Sequence, residues 1–160
     1  MNDAWATLHK FYAAFVAAVS RLQSPFLLLV RLYWGSQFAT NGWAKLHHLA
    51  HVTEFFSSLG LPAPGPTAAL VSTVECVGGV VLALGLLSRL TGLVLTIDMA
   101  MAYITADRVA LAAVFSDPGK FYKADPYTFL FAALLILIFG PGKLSLDTLL
   151  ERRMRQPVSH

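Results

Sequence analysis

The stretch at residues 26–49, FLLLVRLYWGSQFATNGWAKLHHL, begins like a membrane span and then places Arg31 inside the apolar run. A guanidinium in hydrocarbon costs about 2.5 to 3.5 kcal/mol on membrane-insertion scales, and pairing with an acid offsets that cost. The sequence therefore predicts that Arg31 faces the interior of a helical bundle, where another span supplies its partner. The rest of the chain tests that interpretation.

The composition of the 160-residue chain is typical of an integral membrane protein. Apolar residues make up 56% of the chain and charged residues only 13%, and the mean hydropathy is +0.61. Soluble domains carry about 25% charged residues, so this chain has too little charge to cover a soluble surface. The net charge of +3 fits a basic membrane rim better than a nucleic-acid site. The length predicts a single membrane domain over residues 1–160.

Four apolar segments predict four transmembrane helices, over about 25–44, 67–87, 90–106 and 127–139. A helix crosses the hydrocarbon core in about 20 residues, with a range near 17 to 25. The fourth segment is short, but a proline starts it and a Gly-Pro-Gly triplet ends it. Since no strand-length alternation appears, we predict an all-α, integral membrane four-helix bundle.

Both ends of the chain predict amphipathic helices at the membrane interface. Near the N-terminus the large apolar residues recur at helical spacing, which favours a helix lying on the membrane; they are Trp5, Leu8, Tyr12, Phe15 and Val19. Near the C-terminus, Ser145 can cap a helix in LSLDTLLERRMR, residues 144–155, which has Asp147 in its first turn and arginines in its last.

The placement of basic residues predicts that both termini are cytoplasmic. One side of the bundle would hold both termini and the 88–89 connection, with seven basic residues: Lys10, Arg21, Arg89, Lys143, Arg152, Arg153 and Arg155. The other side would hold four: Lys45, Arg108, Lys120 and Lys123. Cytoplasmic loops carry the excess of lysine and arginine.

Each of the first three predicted spans has one ionisable residue near its middle, namely Arg31, Glu75 and Asp98. At 1.5 Å rise per residue, the three lie within about 5 Å of one depth. We therefore expect them to meet, with Arg31 bridging one or both carboxylates. Two acids sharing one arginine would leave one acid protonated, which suits a proton relay or a hydrogen bond to a quinone carbonyl. The alternative is a purely structural ion pair that fixes helix packing.

The neighbouring residues support an inward polar face on the first two spans. Small residues on such a face allow close helix contact. On the first span, Asn41 flanks a stripe made of Arg31, Gly35, Phe38, Gly42 and Lys45. On the second, the face is Ser72, Glu75 and Gly79. The candidates for a ligand or proton site are Arg31, Asn41, Lys45, Glu75 and Asp98.

The remaining candidates carry weaker signals. His47 and His51 have the i, i+4 spacing of a metal-ligand pair, although histidines in an interfacial loop are usually solvated. The single cysteine, Cys76, is predicted to be a small buried apolar residue, since there is no second cysteine for redox chemistry. The residues predicted to dock a cytoplasmic protein or anionic lipid are Arg89, Lys143, Arg152 and Arg153.

Four pieces of sequence, in this order, resemble the DoxX family of small bacterial four-helix membrane proteins. They are RLYWGSQFATNGWAKL, LGLPAP, ECVGGVVLALGLLSRLTGLVL and GPGKLSLD, and together they cover residues 31–147. The family is similar to the small subunit of thiosulfate:quinone oxidoreductase, and members are linked to complexes that handle thiol and oxidative stress. The resemblance implies a location in a bacterial inner membrane. The resemblance places these residues on family motif positions: Arg31, Lys45, Glu75, Arg89, Gly140, Gly142, Ser145 and Asp147.

Two functions are predicted from these features. In the first, the chain is a membrane subunit or anchor of a quinone-linked redox system. Quinone would be its cofactor, a soluble oxidoreductase its partner, and the intramembrane polar residues its site. No redox-cofactor motif of its own is present in the sequence. In the second, it is a non-catalytic scaffold, a cargo or assembly factor, or a small-solute permease, for which a homodimer could supply the path.

Overall fold

A computed structural model of the chain describes residues 2–155. This part of the chain is helical and contains no strand. Its eight helices are α1 Asn2–His47, α2 Leu49–Ser58, α3 Pro64–Leu84, α4 Ser88–Thr105, α5 Arg108–Ala112, α6 Pro118–Lys123, α7 Pro126–Phe139 and α8 Leu146–Arg155.

Helices α1, α3, α4 and α7 form the predicted four-helix bundle, so the predicted fold class is confirmed. The last three begin and end within three residues of the predicted spans. By length and hydropathy, two segments of the described chain could each cross a membrane: Thr7–His47 of α1, and α3. Helix α7 is a shorter apolar helix of 14 residues.

Helices α1 and α3 are antiparallel and pack backbone against backbone through glycines. A Cβ on Gly35 would lie 2.8 Å from the Gly79 carbonyl oxygen and 2.8 Å from the Ala83 nitrogen. A Cβ on Gly42 would overlap the backbone of Cys76. The predicted inward stripe of α1 is therefore confirmed, since Arg31, Gly35, Phe38 and Gly42 are buried.

Helices α4 and α7 form the second close pair. Gly92 of α4 faces the backbone of α7, where an added Cβ would lie 3.0 Å from the Leu137 nitrogen and 3.1 Å from the Ala133 oxygen. Apolar side chains from all four helices pack between the two pairs. The buried core comprises Leu27, Phe38, Leu82, Leu95, Met99, Ala133 and Ile136.

The N-terminal segment differs from the prediction of a separate surface helix, because α1 continues without a break through Pro25. Its 46 residues correspond to about 69 Å at 1.5 Å per residue, more than twice the hydrocarbon thickness of about 30 Å. An isolated proline kinks a helix rather than necessarily ending it, and no glycine or turn motif accompanies Pro25. Residues 7–23 extend beyond the bundle and are exposed.

The connections divide between the two ends of the bundle. At one end lie the α3–α4 turn and the segment 140–145, which leads into α8. The predicted Ser145 cap is confirmed, since its hydroxyl oxygen accepts a hydrogen bond from the Thr148 N–H at 3.2 Å. At the other end, α2 packs on α3, and α6 packs on α7.

Candidate functional site

The structure separates the polar residues into two clusters, and the expected pairing of Arg31 with Glu75 or Asp98 is wrong. The Arg31 guanidinium donates a hydrogen bond to the Leu144 carbonyl oxygen and lies beside Gly85, at the end of α3. Glu75 precedes Gly85 by ten residues, or about 15 Å along a helix. Because α1 and α3 are antiparallel, Arg31 lies opposite the end of α3, where the C-terminal segment reaches it.

We call the cluster of Arg31, Gly85, Leu144 and Asp147 the C-terminal clamp. The Asp147 carboxylate accepts hydrogen bonds from the N–H groups of Leu87 at 2.7 Å and Ser88 at 2.8 Å. The Asp147 N–H donates to the Gly85 carbonyl at 3.0 Å. A carboxylate at a helix N-terminus satisfies free N–H groups, so the clamp caps α4 and holds α8 against the α3–α4 turn.

Replacing Asp147 with alanine removes both acceptors that cap α4. We expect Asp147→Ala to lower the free energy of unfolding by about 2 kcal/mol, as for the loss of a strong N-cap. Asp147→Asn keeps one acceptor oxygen, so its free energy of unfolding should lie between those of Asp147→Ala and the wild type. Thermal unfolding in mild detergent measures both. Equal melting temperatures for Asp147→Ala and the wild type would contradict this role of the clamp.

The second group, which we call the intramembrane cluster, consists of Lys45, Glu75 and Asp98. Lys45 Nζ lies 2.5 Å from Glu75 Oε1, and the Glu75 side chain is 3% exposed. Glu75 Oε2 and Asp98 Oδ2 are buried with no hydrogen-bond partner in the described chain. Lys45 thus occupies the place predicted for Arg31. The cluster contains one cation and two acids.

Two cavities meet at the intramembrane cluster. The first, of about 400 Å³, is mainly apolar, and its lining includes all three cluster residues. Phe55 and Phe56 of α2 lie on one wall. Exposed side chains of α3 and α4 also line it, namely Leu70, Val94, Ile97 and Met101. A cavity bordered by such residues is accessible from the lipid side of the bundle.

The second cavity, of about 590 Å³, has a more polar lining and lies towards α6 and the start of α7. Lys45 and Glu75 line it as well, together with Asn41, Asp107, Lys123 and Asp125. The Lys45–Glu75 ion pair therefore borders both cavities. One cavity offers apolar contacts and the other offers charged and amide groups.

The structure places the other sequence candidates away from a common site. His47 Nδ1 lies 3.0 Å from the Trp43 carbonyl oxygen. The helix is interrupted at His48, so His47 ends α1 and His51 lies in α2. In residues 2–155, no three His, Cys, Asp or Glu side chains gather as metal ligands would.

The predicted docking residues are exposed, and two of them lie near the C-terminal clamp. The Arg89 guanidinium lies against Gly140, and the Lys143 N–H donates to the Ser24 hydroxyl oxygen at 3.2 Å. Arg152 and Arg153 follow on α8, where both are exposed. Their docking role stays a prediction.

Sequence reasoning missed the contribution of α2. The predicted spans leave residues 46–66 as a connection between the first two, with no helix assigned to them. In the structure, residues 49–58 form a helix whose two phenylalanines line the apolar cavity. The signal was present in the segment LAHVTEFFSS, which lacks glycine and proline and groups its apolar residues as a short amphipathic helix would.

Comparison with known proteins adds the family. The protein-family model described as DoxX matches residues 26–108 of this chain, a stretch that contains all three residues of the intramembrane cluster. The chain belongs to the DoxX family. The family match therefore covers the whole intramembrane cluster. It covers Arg31 and Gly85 of the C-terminal clamp, but not Leu144 and Asp147.

Three curated DoxX-type relatives match most of the chain. "Putative oxidoreductase CatD" of Bacillus subtilis is 30% identical over 120 residues, which are 75% of this chain and 83% of that protein. "Uncharacterized membrane protein Rv3486" of Mycobacterium tuberculosis is 30% identical over 81% of this chain and 83% of its own length. "Inner membrane protein YqjF" of Escherichia coli is 27% identical over 84% and 99%. No solved structure gives a significant match.

These relatives agree with the composition of the chain. Two of the three names describe membrane proteins, and the large apolar side chains on the outside of the bundle need a lipid environment. The present chain is therefore a DoxX-family membrane protein that is embedded in a lipid bilayer.

Proposed function

We propose that this DoxX protein is a membrane subunit of a quinone-linked redox system and binds a quinone head group at the intramembrane cluster. The observation that carries the proposal is the buried, unpartnered Oδ2 of Asp98 on the wall of the apolar cavity. Leaving a buried polar atom without a partner costs about 1 to 3 kcal/mol. A ligand with a hydrogen-bonding head group would remove that cost.

The apolar cavity fits the chemistry of an isoprenoid quinone. Its volume of about 400 Å³ falls in the range of about 300 to 1,000 Å³ for small-molecule sites. Such sites are mostly apolar with a few polar groups that fix orientation, and here the polar groups are Lys45, Glu75 and Asp98. The exposed residues at the cavity edge, among them Leu70 and Ile97, would contact the apolar tail.

Each residue of the intramembrane cluster would have a separate task. Asp98, when protonated, would donate a hydrogen bond to a carbonyl oxygen. Lys45 would place its positive charge beside the same head group, since its side chain is 39% exposed and borders both cavities. Glu75 would hold the Lys45 ammonium in position through their 2.5 Å contact.

A quinone, when bound, supplies an acceptor for two electrons and two protons. For the protons, Asp107 and Asp125 line the polar cavity that adjoins the ion pair, and they would pass protons from water towards Glu75. The electrons would come from a soluble oxidoreductase, because the chain has a single cysteine and no redox-cofactor motif. Arg89 and Lys143 would contribute to docking that partner.

The same proposal includes four membrane crossings, with both termini in the cytoplasm of a bacterial cell. It is supported by the positions of Arg89 and Lys143, both at the clamp end of the bundle, because basic residues are enriched on the cytoplasmic side. The name "Putative oxidoreductase CatD" of one relative supports a redox role. The name "Inner membrane protein YqjF" supports the location.

The competing proposal is a non-catalytic membrane protein: a scaffold, a cargo or assembly factor, or a small-solute permease. The polar cavity of about 590 Å³ beside Lys45 and Glu75 favours the permease among these. A solute path would need charged groups such as Lys123 and Asp125 at its entrance, and both line that cavity.

Asp98→Asn and Glu75→Gln should lower quinone binding. We expect native mass spectrometry with lipid extraction to find a quinone with the wild type purified in mild detergent. We expect at least tenfold less with either variant, because each alters a polar group on the cavity wall. Asp117→Asn is the control, since Asp117 pairs with Lys120 at 3.6 Å on the exposed surface.

The outcomes separate the two proposals. Equal quinone content in the wild type, both cluster variants and the control would remove the head-group site from this cavity. Absence of quinone from all four proteins, with the cluster variants melting earlier than the control, would make the cluster a packing device. A polar solute that co-purifies with the wild type alone would favour the permease.

A further inference from the structure

Nine large apolar residues of α1 follow a strict alternation of three-residue and four-residue steps. We call them the heptad seam: Trp5, Leu8, Tyr12, Phe15, Val19, Leu22, Phe26, Leu29 and Tyr33. Every one of them is exposed, from 47% for Val19 to 71% for Trp5. Alternating steps of three and four are the a and d positions of a heptad repeat. The seam therefore has the pattern of a coiled-coil interface, and the described chain leaves it uncovered.

The period of the seam distinguishes a partner helix from a lipid surface. A straight α-helix drifts by about 20° per heptad relative to a 3.5-residue repeat. The part of the seam from Trp5 to Leu22 precedes the predicted span, and over its 18 residues the drift is about 50°, so this part would wind away from a flat membrane surface. A second helix that supercoils around α1 stays in contact with all nine residues.

The seam lies on the side of α1 that faces away from the bundle. In the same heptad numbering, Arg31 falls at an f position and Leu27 at a b position, and both are buried against the other helices. The seam residues Phe26, Leu29 and Tyr33 are exposed within the same turns. A partner along the seam therefore does not compete with α3 for α1.

The residues beside the seam carry no acidic or basic side chain apart from one histidine. At the e and g positions, which flank the seam, the chain has His9, Phe11, Val16, Ala18, Gln23, Pro25, Val30 and Leu32. Like charges at e and g would repel an identical parallel helix. The charged residues Lys10 and Arg21 fall at f and c positions, away from the seam.

We propose that the heptad seam binds a second copy of this chain as a parallel, two-stranded coiled coil. Two copies in one membrane have the same orientation, so their α1 helices are parallel without any further constraint. An interface that pairs a surface with itself has twofold symmetry, and the axis here runs along the membrane normal. The two bundles then lie on the outside of the α1 pair, with both apolar cavities free.

The exposed area of the seam is sufficient for a stable dimer. Five of its nine residues are aromatic, and they are 54% to 71% exposed. Since aromatic side chains bury about 150 to 250 Å² each, these five offer roughly 500 to 700 Å². With Leu8, Val19, Leu22 and Leu29 added, the seam is comparable with the ~800 Å² per partner of a standard interface.

Cysteine crosslinking along α1 tests this dimer in the full chain. In a Cys76→Ala background, single cysteines are introduced at seam positions by Tyr12→Cys, Phe15→Cys, Val19→Cys and Leu22→Cys. Matched cysteines at c and f positions come from Lys10→Cys, Ala14→Cys, Ala17→Cys and Arg21→Cys, and these four residues are also exposed. Copper phenanthroline then oxidises membrane vesicles that contain each variant. We expect at least fivefold more disulfide-linked dimer from the seam positions.

A second measurement covers the case in which the cysteine itself weakens the dimer. Light scattering in mild detergent should show a dimer for the wild type and for Ala17→Lys. The double variant Phe15→Lys/Leu22→Lys should be a monomer that still melts at the temperature of Ala17→Lys. Uniform crosslinking along α1 would overturn the proposal. A wild-type protein that is monomeric and gives no crosslink at any position would overturn it as well.

Discussion

Gly79→Ala should lower the free energy of unfolding by about 3 kcal/mol, at the upper end of the range for overpacking. The added Cβ would lie 2.6 Å from the Gly35 carbonyl oxygen and 2.8 Å from the Phe38 Cβ, and closer still to the Ala39 nitrogen. Backbone atoms cannot move aside as a flexible side chain can, so α1 and α3 would have to separate. That separation would also move Lys45 away from Glu75, because the two residues belong to these two helices.

Gly65→Ala is the matched control for this substitution. Gly65 lies in the same helix, and the nearest atom to its added Cβ is Thr53 Cγ2 at 3.9 Å. Alanine is favoured over glycine in a helix by about 0.5 to 1 kcal/mol, so Gly65→Ala should be neutral or slightly stabilising. Thermal unfolding in mild detergent measures both variants. Equal melting temperatures would show that α1 and α3 are not in backbone contact.

Gly85→Ala should lower the free energy of unfolding by at least as much as Gly79→Ala, for a different reason. Gly85 has φ +69°, and an added Cβ would overlap the Arg31 guanidinium and lie 2.8 Å from the Ser145 Cβ. Left-handed backbone costs a non-glycine residue about 1 to 2 kcal/mol, and overpacking adds about 1 to 3 kcal/mol. We therefore expect a loss of about 3 to 4 kcal/mol, with α8 displaced from the α3–α4 turn.

Gly60→Ala isolates the backbone term of that prediction. Gly60 has φ +71°, nearly the same as Gly85, but no atom lies within 4 Å of its added Cβ. The Gly60→Ala substitution should therefore lower the free energy of unfolding only by the left-handed backbone strain, about 1 to 2 kcal/mol. The difference between the two melting temperatures reports on the contact with Arg31 and Ser145. If Gly60→Ala were as unstable as Gly85→Ala, the contact with Arg31 would contribute nothing to the effect of Gly85→Ala.

The inward faces of the first two predicted spans were predictable because burial in a bundle leaves a periodic pattern. Gly35, Gly42 and Gly79 fall on the stripes that the helical repeat assigns to the interior, and they are buried there. The shared depth of Glu75 and Asp98 was also predictable, since both lie near the middle of well-bounded apolar segments. They line one cavity.

The partner of Glu75 could not be predicted in the same way. The apolar run at residues 25–44 has Arg31 near its middle and ends before Lys45, yet α1 continues to His47. Hydropathy therefore places Arg31 at the depth of the acids and Lys45 with the loop cations, although Lys45 also lies on the predicted inward stripe. The register between α1 and α3 is set by backbone contact at their glycines, and hydropathy alone does not contain that register.

The continuity of α1 was another limit of sequence reasoning. The spacing of Trp5, Leu8 and Tyr12 indicates an apolar helix face, and it is the same for a helix on a membrane and for a helix against a partner. Whether the chain bends at Pro25 depends on what covers that face. The structure shows the helix continuing, which extends the pattern to Tyr33 and makes its heptad period visible.

The C-terminal clamp has a consequence for how the protein is made. Arg31 enters the membrane with the first helix, while its hydrogen-bond partner Leu144 is synthesised 113 residues later. A lone arginine within a span costs about 2.5 to 3.5 kcal/mol on insertion scales, so the nascent first helix inserts with that charge unsatisfied. A segment made late in synthesis thus completes the first helix, and a chain truncated before residue 144 would keep the Arg31 guanidinium without this hydrogen bond.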